Sequence, residues 1–525
     1  MAHSADRPAA PVSPAVAPYV TDTGFFGHPR GLSTLFMTEM WERFSYYGLR
    51  PLLVLFMAAA LSEGGFGLER TQASAIVGIY AASVYLASLP GGWIADRWLG
   101  LRRAILIGAA LITAGHLAIG VSGFAGSGAG QPFFFLGLIL IVLGTGLLKP
   151  NISAIVGDLY PEGGARRDAG FSIFYMGINT GAFIGQLVTG YLGERVGWHV
   201  GFGAAGVGML FGFLWFWSRA AATLGPIGED IVRESDPAVQ ARREAGVRRG
   251  TYVGLAALAA AFLLAASGTL TLDPMAIGQA MTFVLVGLAV VYFTYLFLAG
   301  GLTGDEKKRT AVIFVLFVFA AIFWAAFEQA PTSLQLFAND FTDRNIFGWE
   351  MPATWFQVVN SLFIILFAPA FAALWVGLAK RGIDLSSPTK FALGLALAGL
   401  GFQLMVSAAN AIVASGGTLL VSPWWLIGSY LLQSLGELCL SPVGLSSMTK
   451  LAPRRYVGQM MGVWFLAASV GNLIAGLVGG HVDPTKLEQT PAVFSGTAIA
   501  LFASTAILGL LVVPIRRMMA TESTR

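Results

Sequence analysis

Apolar runs of about twenty residues, broken by short polar stretches, recur along this chain, and each is long enough to cross a hydrocarbon core as a helix. Read in order, they predict spans at 32–61, 72–95, 104–123, 132–156, 170–193, 198–218, 251–272, 275–299, 310–338, 356–379, 390–414, 423–449, 456–480 and 493–515. Strands of a membrane barrel would be about ten residues long and alternate in polarity, which these runs do not. The first run breaks the pattern. The stretch "TEMWERFSYYGLRP" (38–51) puts Glu39, Glu42, Arg43 and Arg50 between the apolar flanks "GLSTLF" and "LLVLFMAAAL". Each such group costs about 2.5–3.5 kcal/mol at mid-membrane on insertion scales.

Helical geometry resolves part of that conflict. A helix turns about 100° per residue, so Glu42, Tyr46, Glu39, Arg50 and Arg43 follow one another around a single arc of about 100°. These residues form one stripe, and the opposite face, with Met37, Trp41 and Phe44, is free for lipid or packing partners. Such stripes face a bundle interior or a wet cavity. The other spans hold few polar groups. They are Lys149 before Pro150 in "GTGLLKPNIS", Tyr175, Asn179 and Gln186 on one face, Glu328 in "FWAAFEQAPTS", Asn360, Gln433, Glu437 and Ser441 at i, i+4, i+8, and Trp464. Isolated Asn, Gln and Ser in spans also serve as interhelical hydrogen-bond glue, worth about 0.6 kcal/mol on average. Tyr46, Tyr47 and Trp464 also suit packing, and Arg43 also suits simple neutralisation of Glu39 or Glu42. Three bases and four acids in four spans are more than holding a bundle together requires.

Loop charge sets orientation. With the N-terminus inside, 25 of the 32 Lys and Arg lie in the inside loops and tails, four lie outside (Arg70, Arg195, Arg344, Lys486) and three lie within spans (Arg43, Arg50, Lys149). The positive-inside rule therefore puts both termini in the cytoplasm. The one sizeable break, 219–250, follows six spans; two nearly non-polar spans and then six more come after it. The expected plan is an all-α polytopic membrane protein: a disordered cytoplasmic tail (1–30), a six-helix bundle (31–218), a cytoplasmic linker (219–250), an inserted helix pair (251–300), a second six-helix bundle (301–517) and a short cytoplasmic tail (518–525). Transporters built from two six-span halves bind substrate near the midplane between them.

Composition agrees. The 525 residues are 56% hydrophobic and 11% charged, against about 25% charged in ordinary soluble proteins. The net charge of +4 is accounted for by the loop bias and is no sign of nucleic acid. Residues 1–30 lack the apolar core of a signal peptide. The lone Cys439 excludes an intrachain disulfide and reads as a small buried hydrophobe, and five scattered histidines give no metal-ligand spacing. A Walker motif, an H-E-x-x-H helix and a nucleophile with a nearby base are all missing, so an ATPase or membrane enzyme is disfavoured. A sensor would need a larger cytoplasmic domain than 219–250. A buried cavity with cations on one wall and a carboxylate on the other suits a small zwitterion, driven by an ion gradient, with no cofactor.

"EMWERFSYYG" resembles the E-x-x-E-R-F-x-Y-Y-G motif of the proton-coupled oligopeptide transporters of the major facilitator superfamily. "GGWIADRWLGLRRAI", "FYMGINTG", "LLKPNISAIVGDLY", "FWAAFEQ" and "GELCLSPVGLS" are also similar to segments of that family. The resemblance runs from residue 31 to about 480. It implies a major facilitator fold with fourteen spans and a proton symporter importing di- and tripeptides across a bacterial inner membrane; separately, a monomer is expected. It implies proton coupling by Glu39, Glu42, Arg43 and Glu328. Arg50 and Lys149 would meet the peptide carboxylate and Glu437 its amino group, with Tyr46, Tyr47, Asn179, Asn360, Trp464 and Tyr80 or Tyr85 lining the site. The pairs Arg50–Glu328 and Lys149–Glu437 would open and close a cytoplasmic-side gate. The alternatives are a same-fold carrier of another zwitterion or anion, such as nitrate or an amino-acid conjugate, and an exporter of drugs or peptides.

Overall fold

The structure is a computed structural model and describes residues 13–124, 126–231, 235–383 and 385–519. Its helices are α1 (Ala17–Val20), α2 (Arg30–Ala58), α3 (Arg70–Ile94), α4 (Leu101–Ser122), α5 (Gly126–Asp158), α6 (Gly164–Arg195), α7 (Trp198–Leu224), α8 (Pro237–Ala266), α9 (Pro274–Leu298), α10 (Gly304–Phe327), α11 (Ser333–Asp340), α12 (Val358–Lys380), α13 (Ser387–Ala414), α14 (Trp424–Leu451), α15 (Val457–Gly479) and α16 (Gln489–Met519). A two-residue hairpin pairs Asn345–Ile346 with Trp349–Glu350. Among the described residues twelve helices are long and apolar enough to cross a membrane. The long helices outside that set are α2 and α14, which carry Glu39 to Arg50 and Glu437.

The chain divides into two compact units. One is built from the chain up to Leu49 with Ala87–Leu272, the other from Arg50–Leu86 with Asp273 onward. The boundaries fall inside α2 and α3, so each of these helices gives one part to each unit.

Small residues build the seams within each unit. In the first, Gly177, Gly181, Gly185 and Thr189 of α6 meet Phe36, Met40, Phe44 and Gly48 of α2. Both series step by four and rise together, so the helices run parallel. A Cβ on Gly181 would run into the Met40 carbonyl, and Thr189 Oγ1 donates to the Gly48 carbonyl at 2.8 Å. Close backbone approach of this kind is how membrane helices associate where apolar burial gives no net drive. It also decides between lipid and packing partners for the far face of α2. Phe44 is buried, and Trp41 packs on Phe211 at 5.6 Å, so that face meets helices. Antiparallel α4 and α5 join through Gly108 against Gly144 and Gly115 against Gly137. The second unit repeats this seam, with Gly394 of α13 against Gly436 of α14 and Gly401 against Ser429. There α3 also packs antiparallel on α15, with Gly78 against Gly476 and Thr71 against Gly480.

Three local readings change. The predicted span 310–338 is two helices, because Pro331 lacks an N–H and disfavours α geometry before it; α10 stops at Phe327 and α11 starts at Ser333. Much of the expected linker is helical. Asp236 caps α8 by accepting from the Ala238 N–H at 2.8 Å, with Pro237 at the first helical position. The expectation of a disordered tail falls outside the described residues as far as residue 12. From Ser13 the chain is placed against the first unit: Arg166 donates to the carbonyls of Val20 and Asp22, and His28 Nδ1 lies 2.8 Å from the Tyr160 hydroxyl. Burial raises the pKa of Asp22, but backbone N–H donors from Arg30 and Gly24 and the Arg30 charge outweigh it and hold it below 3.8. Burial lifts the Tyr160 phenol to about 12.

Candidate functional site

In the first unit the polar stripe of α2 is sealed from solvent. Glu39, Glu42 and Arg43 are 2%, 0% and 3% exposed. Arg43 Nε lies 3.0 Å from Glu39 and 2.5 Å from Glu42, so two carboxylates share one guanidinium. That guanidinium also lies 5.4 Å from the Tyr46 ring centre, and Tyr46 meets Tyr47 edge-to-face at 5.1 Å. Lys149 is half-buried on α5 and near enough for its charge to act on Glu42. On α6, Tyr175 is half-exposed, Asn179 is half-buried with its amide on the Tyr175 carbonyl at 3.0 Å, and Gln186 is buried.

In the second unit Arg50 forms an ion pair with Glu328, and its Nη2 donates to Asn472 Oδ1 at 3.1 Å. Glu328 sits where α10 ends, so the Pro331 break places this carboxylate. Sequence reasoning did not single out Asn472. Its signal was an amide inside the apolar run 456–480, and its own Nδ2 is held by the Ala468 carbonyl at 2.9 Å. Glu437 is half-buried on α14. The Asn360 amide bonds Glu437 and donates to Ser434 Oγ at 2.8 Å, and Glu328 is near enough to act on Glu437 electrostatically. Gln433 bonds Ser429 Oγ at 2.9 Å. Tyr80 is 3% exposed, whereas Tyr85 is half-buried and stacked on Phe465 at 6.4 Å. Trp464 is buried against Gly444, where a Cβ would strike its ring. The predicted pair Arg50–Glu328 is thus in contact; the other, Lys149–Glu437, has one member in each unit. Cys439 is buried and free.

Long apolar helices with ion pairs sealed among them define a polytopic membrane protein of the transporter class. The chain belongs to the POT family: that family's model (PTR2) matches residues 102–235 and 254–493. The peptide transporter YePEPT of Yersinia enterocolitica is 50% identical over 495 residues, which is 94% of this chain and 96% of that protein. A di-/tripeptide transporter of Lactococcus lactis subsp. cremoris is 37% identical over 498 residues, covering 94% and 95%. The crystal structure of a peptide transporter POT in complex with sulfate aligns with a TM-score of 0.87 at 42% identity, covering 96% of this chain and 98% of that one. The fold is the major facilitator fold expected from the motif, and "LLKPNISAIVGDLY", "FYMGINTG", "FWAAFEQ" and "GELCLSPVGLS" lie within the residues that the family model matches.

Proposed function

We propose that this protein is a proton-coupled symporter that carries di- and tripeptides inward across a bacterial inner membrane by alternating access. The observation that carries this reading is the sealed Glu39–Glu42–Arg43 cluster on the E-x-x-E-R-F-x-Y-Y-G motif of a POT-family chain. A proton added to one of two carboxylates that share a guanidinium changes the charge balance of a buried network, and that change is a means of coupling. In this reading all fourteen long helices cross the membrane, with both termini cytoplasmic and the six-plus-two-plus-six division given above. Glu328 joins Glu39, Glu42 and Arg43 in proton coupling. Arg50 and Lys149 take the peptide carboxylate and Glu437 its amino group. Asn179, Asn360, Tyr46, Tyr47, Trp464 and a tyrosine of α3, Tyr80 or Tyr85, line the site, while Arg50–Glu328 and Lys149–Glu437 open and close the cytoplasmic gate. The protein acts as a monomer among lipids, as a carrier and not an enzyme, with protons as coupling ion and no cofactor. A bound peptide shifts the cycle only by binding its two states with different affinity.

The test is uptake of labelled dialanine into proteoliposomes with and without an inward proton gradient. Wild type is expected to accumulate the peptide only with the gradient. Glu39→Gln is expected to abolish accumulation while leaving peptide exchange, and Glu437→Gln to weaken binding itself. A wild type that neither accumulates nor exchanges any small peptide sinks the peptide reading.

A further inference from the structure

A groove in the first unit, away from the buried ionic clusters and using two arginines of the "GGWIADRWLGLRRAI" segment, is built for an amphiphile. Its cavity of about 380 Å³ lies between the first turns of α4 and the last turns of α7, where Arg102, Arg103 and Glu229 meet Leu106, Phe216 and Trp217. Glu229 pairs with Arg102 at 2.6 Å, and Arg102 also donates to the Gly225 carbonyl. Arg103 is exposed and has no acidic partner among the described residues. Two guanidiniums against one carboxylate leave the lining with a net positive charge. The opposite wall is apolar and open: Trp217 is 65% exposed and stacks on Phe213 at 6.4 Å. Both helices are long and apolar enough to cross a membrane, and the groove sits at their ends, where polar headgroups lie. Tryptophan is enriched at that level, and basic pockets between spans there take anionic headgroups.

We propose that this groove binds an anionic phospholipid, with its phosphate on Arg103 and Arg102 and an acyl chain along Leu106 and Trp217. A free phosphate would use the guanidiniums and leave the aromatic wall against water. A zwitterionic lipid would use the wall and leave the surplus positive charge unmatched.

The experiment is native mass spectrometry of the full-length protein in detergent, titrated with phosphatidylglycerol, phosphatidylcholine or inorganic phosphate. Phosphatidylglycerol is expected to bind at least about fivefold tighter than phosphatidylcholine, the factor one juxtamembrane basic residue supplies. Arg103→Gln is expected to remove about that factor, and Trp217→Ala to weaken both lipids. Arg248→Gln, an exposed basic residue on α8, is expected to change neither. Equal affinity for the two lipids, an Arg103→Gln protein that binds phosphatidylglycerol like wild type, or an equal loss in Arg248→Gln overturns the site. Phosphate that displaces the lipid at matched concentration, with Trp217→Ala silent, overturns the lipid and leaves a soluble-anion site.

Discussion

The two buried ionic clusters are held together in different ways. In the first unit Glu39, Glu42 and Arg43 all belong to α2; the helix turn brings Glu39 to Arg43 at i,i+4, and Glu42 is Arg43's neighbour in the chain. In the second unit Arg50, Glu328 and Asn472 come from α2, the end of α10 and α15, and the ion-pair partners are 278 positions apart in the chain. The first cluster therefore exists as soon as α2 forms, and no shift between helices can break it. The second exists only while three elements stay in register. Their stoichiometry differs too, with two acids on one base in the first and one on one in the second. A cluster with a spare carboxylate can take a proton without losing its ion pair, whereas a one-to-one pair spanning helices can be parted by their motion. That contrast is the physical basis for placing a gate at Arg50–Glu328 in the proposed cycle, with Glu328 also taking part in proton coupling beside the first cluster.

The contrast breaks most visibly at Arg43. Arg43→Met leaves two carboxylates sharing a sealed space, and removal of one partner of a buried pair costs about 3–5 kcal/mol. The variant is expected at the upper end of that range in thermal unfolding of the detergent-solubilised protein. A shift like that of a surface substitution would mean that water reaches the cluster.

A smaller effect separates the stoichiometries. Because Arg50 and Glu328 pair one to one, adding Glu328→Gln to Arg50→Met is expected to recover up to about 3 kcal/mol of the lost stability, read as the coupling term of a double-mutant cycle. Adding Glu42→Gln to Arg43→Met is expected to recover less, since Glu39 stays uncompensated. Equal recovery in both cycles would erase the distinction.

The smallest effect tests the third member of the second cluster. Asn472→Leu removes the 3.1 Å bond from Arg50 and is expected to cost about 1.5 kcal/mol, the low end for a hydrogen bond to a charged group. It is also expected to raise the rate of peptide exchange if the pair acts as a gate. An unchanged melting temperature would show that Asn472 does not support Arg50.

Much of the fold was legible because its signals are local. Each long helix contains an apolar run, and the shared face of Glu39, Arg43 and Tyr46 follows from the angle between successive residues. The α10 break was legible in principle, since Pro331 stands in the sequence among Glu328, Gln329, Thr332 and Ser333, but the longer apolar stretches on either side outweighed them. The α2–α6 seam was legible too, as small residues four apart from Gly177 to Thr189, but only when read together with a matching series on α2. Asn472 gave a weak signal, one amide in an apolar run, and nothing in its neighbourhood names Arg50 as its partner.

The amino-acid sequence was enough to establish that the chain is built of long apolar helices, how charge is biased between loops, and that one helix carries an acid–base stripe. Those properties depend on transfer free energy summed over about twenty residues and on the constant angle between successive helical residues, neither of which needs a partner. Only the tertiary structure decided that Arg50 meets Glu328 and Asn472, that Tyr80 is sealed while Tyr85 stacks on Phe465, and that Gly108 and Gly394 occupy equivalent seams in the two units. Those facts depend on which helices approach each other and at what register, and in a membrane that is set by close packing of small residues distant in the chain.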